Sequence, residues 1–448
     1  MLGLWHLGSV TAACLAEAGR EVIGVDPDPL LVAALAEGRP PISEPGLTEL
    51  IARNAARLRF STDPSTLIGV RLAWVAFDTP VDENDDADVE WVLGRSAQML
   101  ARLPREALVI VSSQLPVGSV ARLRSRCADV RGEDDLRFAC VPENLRLGSA
   151  LESFRAPARI VAGVHSEEDR QELAELLAPF CGQILWTGIE SAEMTKHALN
   201  GFLATSIAFA NEIAVICEAV GADAAEVLRG LKSEPRIGGR AYLDPGDAFA
   251  GGTLARDLGF LRALAVSHGL PAHVSAGAAA GNAEHRGWTR RKLLALLSGE
   301  QGGFERALNG AVVAVWGLAY KPGTDTLRRS SAVELCRWLA RAGAQVRAYD
   351  PSVRVLPVSL EGVFELCATP LEAVAGAQAL VVGASCPEFR DVPVEDLLAS
   401  LARPLIIDPA GWLVEALGTR EGVRYARVGT LVRDAWVTPA ASVAEVVR

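Results

Sequence analysis

Residues 191–222 read SAEMTKHALNGFLATSIAFANEIAVICEAVGA, and residues 236–257 read RIGGRAYLDPGDAFAGGTLARD. The first stretch has no proline, one glycine well inside it, and apolar residues that recur with helical rather than alternating spacing. Such a helix is on the order of 40 Å long, unusual for a globular domain. Lys196 and Asn200 are four apart and share a face, and Asn211 lies about three turns further along a similar one. The second stretch has six glycines or prolines in 22 residues and reads as a loop wrapped closely around something. A long rigid helix carrying an amine and two amides, followed by a glycine-rich clamp, describes a substrate domain.

The rest of the chain is organised around it. At 448 residues the chain exceeds a single core, and about three domains are expected. The divisions fall at 1–190, 191–300 and 301–448, with a hinge over Gly299–Gly303. No run of 18 uninterrupted apolar residues occurs and the N-terminus has no secretory pattern, so a soluble cytoplasmic protein is expected. A net charge of −11 argues against a nucleic-acid or anionic-membrane partner, though not against a phosphorylated small ligand. The eight cysteines, Cys14, Cys127, Cys140, Cys181, Cys217, Cys336, Cys367 and Cys386, show no CxxC spacing and no histidine cluster. No metal site and no disulfide framework is expected, and they read as small core residues.

The chain opens with a glycine turn, a helix, and a strand Glu21–Val25 ending in Asp26. A dinucleotide fingerprint wants G-x-G-x-x-G between strand and helix, with an acid about 20 residues on for the ribose hydroxyls. Gly3 and Gly8 hold the outer places, Trp5 stands in the middle one, and only Met1 and Leu2 precede the turn. Strand candidates at Leu72–Phe77, Ala107–Ser112, Phe138–Val141 and Ile160–Val164 alternate with helical segments, the pattern of a mostly parallel sheet. Their carboxyl ends carry Thr79-Pro80, Ser113-Gln114 and Pro142-Glu143. Each taken singly is an ordinary turn or cap; together they outline the rim of one crevice. From Ala311 the pattern repeats as strand, glycine turn, helix and a strand ending at Asp350, continued by Ala379–Gly383 and Leu405–Asp408. The fold class is therefore α/β, with two Rossmann-like doubly wound parallel-sheet domains joined by a long central helix.

Several blocks in order carry a resemblance: Glu44–Leu47 (EPGL), Thr79–Glu83 (TPVDE), Pro116–Ser119 (PVGS), Pro142–Phe154, Ala192–Asn200, Arg236–Gly238 (RIG) and Gly317–Asp325 (GLAYKPGTD). Over essentially its full length the chain resembles the UDP-glucose/GDP-mannose dehydrogenase family of nucleotide-sugar dehydrogenases. The resemblance implies a dimer formed on the long helix and NAD-dependent oxidation of a sugar alcohol, carried in the family to the carboxylate with two NAD. It implies that Lys196 and Asn200 contact the sugar, that Glu143 handles protons or water, and that Asp257 supports Lys196. It assigns Gly3, Gly8, Asp26, Thr79, Gln114, Arg256 and Arg328 to the cofactor. Tyr242, Phe249, Gly251 and Lys321 fall to the nucleotide sugar, a UDP-sugar before a GDP-sugar, and Arg236 to the substrate of the neighbouring subunit. An ammonium beside a developing oxyanion stabilises charge where it forms, and an apolar helix is a place to lower a lysine pKa. Asp26 at the strand end favours NAD over NADP.

The departures fall on the chemistry. Thr253 stands where the family has the cysteine of the second oxidation, Gln114 where it has a threonine, and Arg256 where it has a lysine. Thr326, Arg329 and Ser331 replace an acid, a glutamate and a proline. A threonine hydroxyl is far less acidic than a thiol, β-branched, and without a histidine in its loop, so thioester chemistry from this position is excluded. Three readings remain: one two-electron oxidation to a carbonyl, a four-electron oxidation through a hydrated aldehyde, and a catalytically silent nucleotide-sugar-binding homologue or partner subunit.

Overall fold

The computed structural model describes residues 1–82, 87–250, 252–298, 308–320 and 324–430. The expected hinge, Gly251 and Lys321 lie outside the described residues. Contacts divide the chain into two compact units: unit 1 comprises Met1–Phe202 with Gly251–Ser275, and unit 2 comprises Leu203–Ala250 with Ala276–Arg448.

Unit 1 carries strands β1 (Val22–Val25), β2 (Leu58–Ser61), β3 (Leu72–Val75), β4 (Leu108–Val111), β5 (Arg137–Cys140), β6 (Ile160–Gly163) and β7 (Ile184–Thr187). β1 pairs with β2, and β3 to β7 run in sequence order, all parallel except the β5–β6 step. Met1–Gly3 sit between these two groups. Leu2 bridges in parallel to both Val25 and Val75, and its amide and carbonyl bond Trp74 O at 2.8 Å and Ala76 N at 2.7 Å. Three residues thus serve as the missing central strand, because Leu2 and Leu4 are fully buried and anchor the turn from both sides. The LVIV of β4 is buried at every position, as expected for a strand covered on both faces.

The glycine turn that follows is forced by packing. Gly3 has φ +85°, and a Cβ there would lie 2.7 Å from Phe77 Cα. A Cβ on Gly8 would stand 1.8 Å from Gly3 O, so the helix His6–Glu17 approaches the turn only because both residues are glycine.

Unit 2 carries β8 (Val312–Trp316), β9 (Gln345–Tyr349), β10 (Glu365–Leu366), β11 (Ala379–Val382), β12 (Leu405–Ile407) and β13 (Arg424–Ala426). They form one parallel sheet in the order β10-β9-β8-β11-β12-β13, whose direction of winding reverses between β8 and β11. That reversal is where doubly wound sheets open a ligand crevice.

The helix Ile189–Val220 is 32 residues long and begins in one unit and ends in the other. By length and composition alone it could cross a membrane. Its polar residues argue for a helix of a folded interior instead, since Glu193, His197, Asn200 and Asn211 are all buried and hydrogen-bonded. Phe202, Phe209 and Ile216, seven apart, are 69%, 47% and 49% exposed, a stripe along one face.

Candidate active site

Unit 1 gathers most of the expected residues at the carboxyl ends of its strands. Lys196 Nζ lies 3.2 Å from Glu143 Oε1, and both side chains are largely buried. The other oxygen of Glu143 accepts the Leu145 amide at 2.8 Å, so the loop after β5 fixes the carboxylate and leaves one oxygen to the amine. Beside this pair is a cavity of ≈ 20 Å³ lined by Ser113, Gln114, Cys140, Glu143, Lys196 and His197, among others. Such a volume accommodates a single water, for which about 10–15 Å³ is needed. Ser113 Oγ is buried with no partner among the described residues.

Asp257, on the helix Thr253–Ser267, is 0% exposed and takes several donors at once. Its Oδ1 accepts from Gln114 Nε2 and contacts His197 Nδ1, each at 2.8 Å, and its Oδ2 accepts from Asn200 Nδ2. Burial alone would push this carboxyl up; the hydrogen bonds and charge of His197, with the amides of Asn200 and Gln114, outweigh it and hold the group below its ordinary value. Asp257 was expected to support Lys196. In the structure the carboxylate takes His197, Gln114 and Asn200, and Lys196 pairs with Glu143.

Gln114 links this cluster to the cofactor side. Its carbonyl oxygen accepts from Arg256 Nη2, its backbone oxygen accepts from Thr79 Oγ1 at 2.7 Å, and Arg256 Nη1 reaches Thr79 O at 3.4 Å. Glutamine spans the distance from arginine to aspartate with an acceptor at one end and a donor at the other. The two departures at 114 and 256 are therefore a matched pair.

Thr253 opens its helix behind Gly252 (φ 112°) and is exposed. Among the described residues none supplies its hydroxyl with a base. Cys140 lines the cavity, but burial holds its thiol protonated far above the ordinary value, so it does not replace the missing nucleophile.

The dinucleotide turn is kept in its outer glycines. Asp26 ends β1 with its carboxylate accepting Leu4 N at 2.8 Å and Asp28 N at 3.0 Å. Burial raises its pKa, partly offset by those amides. The turn, the helix N-terminus behind it and the strand-end acid fit a dinucleotide. Trp5 adds a side chain, 45% exposed, where the fingerprint has none. Asp78, not singled out in the sequence, is an exposed residue; its carboxyl is pushed up toward about 7 by the protein crowded around it and by Glu143, against Arg256 and the Leu7 amide, and its exposure to solvent works against the first of these.

Unit 2 holds the other site residues that are described. A cavity of ≈ 430 Å³ lies at the carboxyl end of β11 and beside Pro409 after β12, lined by Arg286, Arg290 and Arg291, by the acids Asp247, Glu284 and Glu334, and by the first turn of the helix Ser331–Arg341. Three guanidinium groups and a helix N-terminus at a switch point suit an anionic nucleotide. Asn211 answers the question its polarity raised: its Oδ1 accepts the Gly246 amide at 2.9 Å and so fastens the glycine-rich loop. Asn282 holds Phe249 by both backbone amide and carbonyl at 2.9 Å, and His285 Nε2 lies 2.8 Å from Gly246 O. Arg236 is 88% exposed and bonded to Glu234, Tyr242 is exposed, and Arg328 is on the turn before the helix Ser331–Arg341.

His197 and Glu193 were missed. Glu193 accepts the Gly118 and Val120 amides at 2.7 and 2.9 Å. The signal was present: positions 193, 197 and 200 recur at i, i+4, i+7 and put three polar groups on one helix face.

Two Rossmann-type sheets, a dinucleotide turn and a lysine–glutamate pair beside an amide-bound aspartate define a dinucleotide-linked class of enzyme. The chain belongs to the UDP-glucose/GDP-mannose dehydrogenase family: its NAD binding domain matches residues 1–181, its central domain residues 190–284 and its UDP binding domain residues 314–414. A UDP-glucose 6-dehydrogenase of Pseudomonas aeruginosa is 34% identical over 445 residues, covering 96% of each chain. One of Rhizobium meliloti is 32% identical over 438 residues, covering 96% of this chain and 98% of that one. Among solved structures, a UDP-glucose dehydrogenase from Pyrobaculum islandicum matches with a TM-score of 0.78 at 30% identity, covering 88% of this chain and 90% of that one. A UDP-D-ManNAc dehydrogenase from Pyrococcus horikoshii matches with a TM-score of 0.81 at 25% identity, over 96% and 98%.

Proposed function

We propose that this protein is an NAD-dependent nucleotide-sugar dehydrogenase that oxidises a sugar alcohol of a UDP-sugar in one two-electron step, without a covalent thioester. The observation that carries the reading is the Lys196–Glu143 pair beside Asn200, set against a Thr253 to which the described residues supply no base. Lys196 places its ammonium beside the substrate oxygen, where negative charge develops as the hydroxyl proton leaves, and Glu143 takes that proton through the contact at 3.2 Å. Asn200, held by Asp257, presents its remaining amide groups to the sugar. NAD, when bound, accepts the hydride; Gly3, Gly8, Asp26, Thr79, Gln114 and Arg256 hold it, with Arg328. Phe249, Tyr242, Gly251 and Lys321 bind the nucleotide sugar, and Arg236 reaches the substrate of a second subunit.

In this reading residues 1–190 bind the dinucleotide, 191–300 carry the chemistry and the dimer contact, and 301–448 hold the nucleotide. The exposed Phe202, Phe209 and Ile216 support a homodimer on the long helix. A soluble, cytoplasmic location belongs to the same reading. The water-sized cavity at Glu143 favours a second reading, in which a hydrated aldehyde is oxidised again without the enzyme becoming acylated.

The test is the yield of NADH per nucleotide sugar at limiting substrate, with mass spectrometry of the product. One NADH and a trapped carbonyl product is expected. Two NADH and a carboxylate would transfer the proposal to the hydrate route, and no turnover across UDP- and GDP-sugars would leave a binding homologue.

A further inference from the structure

His197 is used by nothing in the reaction just proposed, yet it is the most enclosed titratable side chain of the site after Asp257. It is 2% exposed, with the Phe260 ring edge-on at 5.4 Å. Its Nδ1 lies 2.8 Å from Asp257 Oδ1 and its Nε2 lies 2.8 Å from the Leu115 carbonyl oxygen. The Leu115 oxygen is an acceptor only, and so is Asp257 as the anion that takes Gln114 Nε2 and Asn200 Nδ2 as donors. A neutral imidazole has one hydrogen and one lone pair, so one of these two close contacts would set lone pair against lone pair; only a ring with a hydrogen on each nitrogen satisfies both. The surrounding charges agree. Asp257 faces the ring from the helix Thr253–Ser267, and Glu193 faces it from its own helix, with its carboxylate on the amides of Gly118 and Val120. Lys196 and Arg256 are the nearby cations, and each has its own partner in Glu143 and Gln114.

We propose that His197 is a positioning residue, a doubly protonated ring clamped between Leu115 O and Asp257, which keeps Asp257 a fully engaged anion so that it orients Asn200 and Gln114 rather than taking the substrate proton. The inference rests on the dehydrogenase reading for its kinetic consequence, but the state of the ring does not. With Asp257 committed in this way, the proton released from the sugar hydroxyl goes to Glu143. One imidazolium thereby sets the register of the sugar-side amide of Asn200 and the cofactor-side pair Gln114–Arg256.

Nitrogen-15 NMR of the full chain with labelled histidine tests the ring directly, His197 being one of six histidines and assigned by comparison with His197→Gln. Both ring nitrogens are expected to show the signature of an attached hydrogen. One nitrogen with the signature of a bare lone pair overturns the proposal, whether or not the protein turns over any sugar. The second measurement is kinetic. His197→Leu, which removes both donors, is expected to lower kcat about 10²-fold through misplacement of Asn200. KM for the nucleotide sugar should change little. The acid limb of the kcat profile should move to higher pH, because Asp257 loses the cation that holds its carboxyl down. His197→Gln, with an amide that still donates, should recover part of the rate. An unaltered kcat and pH profile in a folded His197→Leu protein overturns the proposal; should that variant not fold, the Gln variant and the wild-type spectrum decide. Absence of wild-type turnover counts against the proposed activity alone, since the ring signals still answer the question about His197.

Discussion

Replacing Asp257 by alanine should destabilise unit 1 strongly, whatever it does to the chemistry. The side chain is wholly buried and is the acceptor for His197, Gln114 Nε2 and Asn200 Nδ2. Its removal leaves three donors facing a small void, each costing about 1–3 kcal/mol when left unpaired. Some relaxation is expected, so we take a loss of about 4 kcal/mol. For a unit of this size that amounts to a fall in Tm of about 8–16 °C. Asp257→Asn keeps the shape and one acceptor, and should lose about half as much. The pH dependence supplies a second check. Because the folded carboxyl is held below its ordinary value, its contribution is fully present above about pH 4 and is lost as pH falls through the folded value. The gap between wild type and Asp257→Asn should therefore be constant near neutrality and close in acid. Scanning calorimetry at pH 7 and at steps downward through the acid range measures both. A Tm for Asp257→Ala within 2 °C of wild type, on the same scale, would refute the buried network as the organiser of the site.

The remaining expectations concern the cofactor, the missing thiol and the dimer. Asp78, pushed up toward about 7 despite its exposure, turns negative as pH rises through neutrality, next to the Leu7 amide of the first helix, where the proposed function places the dinucleotide. NAD affinity should weaken above pH 7, by at most about tenfold per pH unit for one proton, and Asp78→Asn should bind more tightly at pH 8 with a flattened profile in calorimetric titration. Thr253→Cys places an exposed thiol at a helix N-terminus, where thiol pKa values fall. It should react with a disulfide reagent within minutes, unlike the seven buried native cysteines, and should raise NADH yield from one toward two per sugar; an unreactive thiol refutes the assignment of that position. Phe202→Ser with Phe209→Ser should convert a dimer to monomer in sedimentation, and an unchanged mass would sink the role given to that face.

The architecture was legible because buried parallel strands are near-continuous apolar runs, and the LVIV and ALVV segments are buried at every position. Strand ends were read one or two residues too long, as at Phe77 and Ser112, where the backbone already turns toward the crevice. The central strand of unit 1 was harder to see, since only Met1–Gly3 supply it and the pairing partners lie more than 20 residues away. In the site, Lys196 and Asn200 announced themselves as polar groups on an apolar helix. His197, adjacent to the lysine and on the face of Glu193, was hidden because one histidine on a helix carries no pattern of its own. What bound Asp257 could not be read either: its partners come from residues 114, 197 and 200, and only the folded chain brings them to one carboxylate.

The loop around Gly246 and Phe249 is tied at its backbone by Asn211, Asn282 and His285. A glycine-rich segment of that kind normally surrenders much conformational freedom when it closes on a ligand. Here that freedom has already been given up during folding, so ligand association at this loop should proceed with a small ordering entropy, and the backbone amides of Gly246 and Phe249 should be slow to exchange their hydrogens even before a nucleotide arrives.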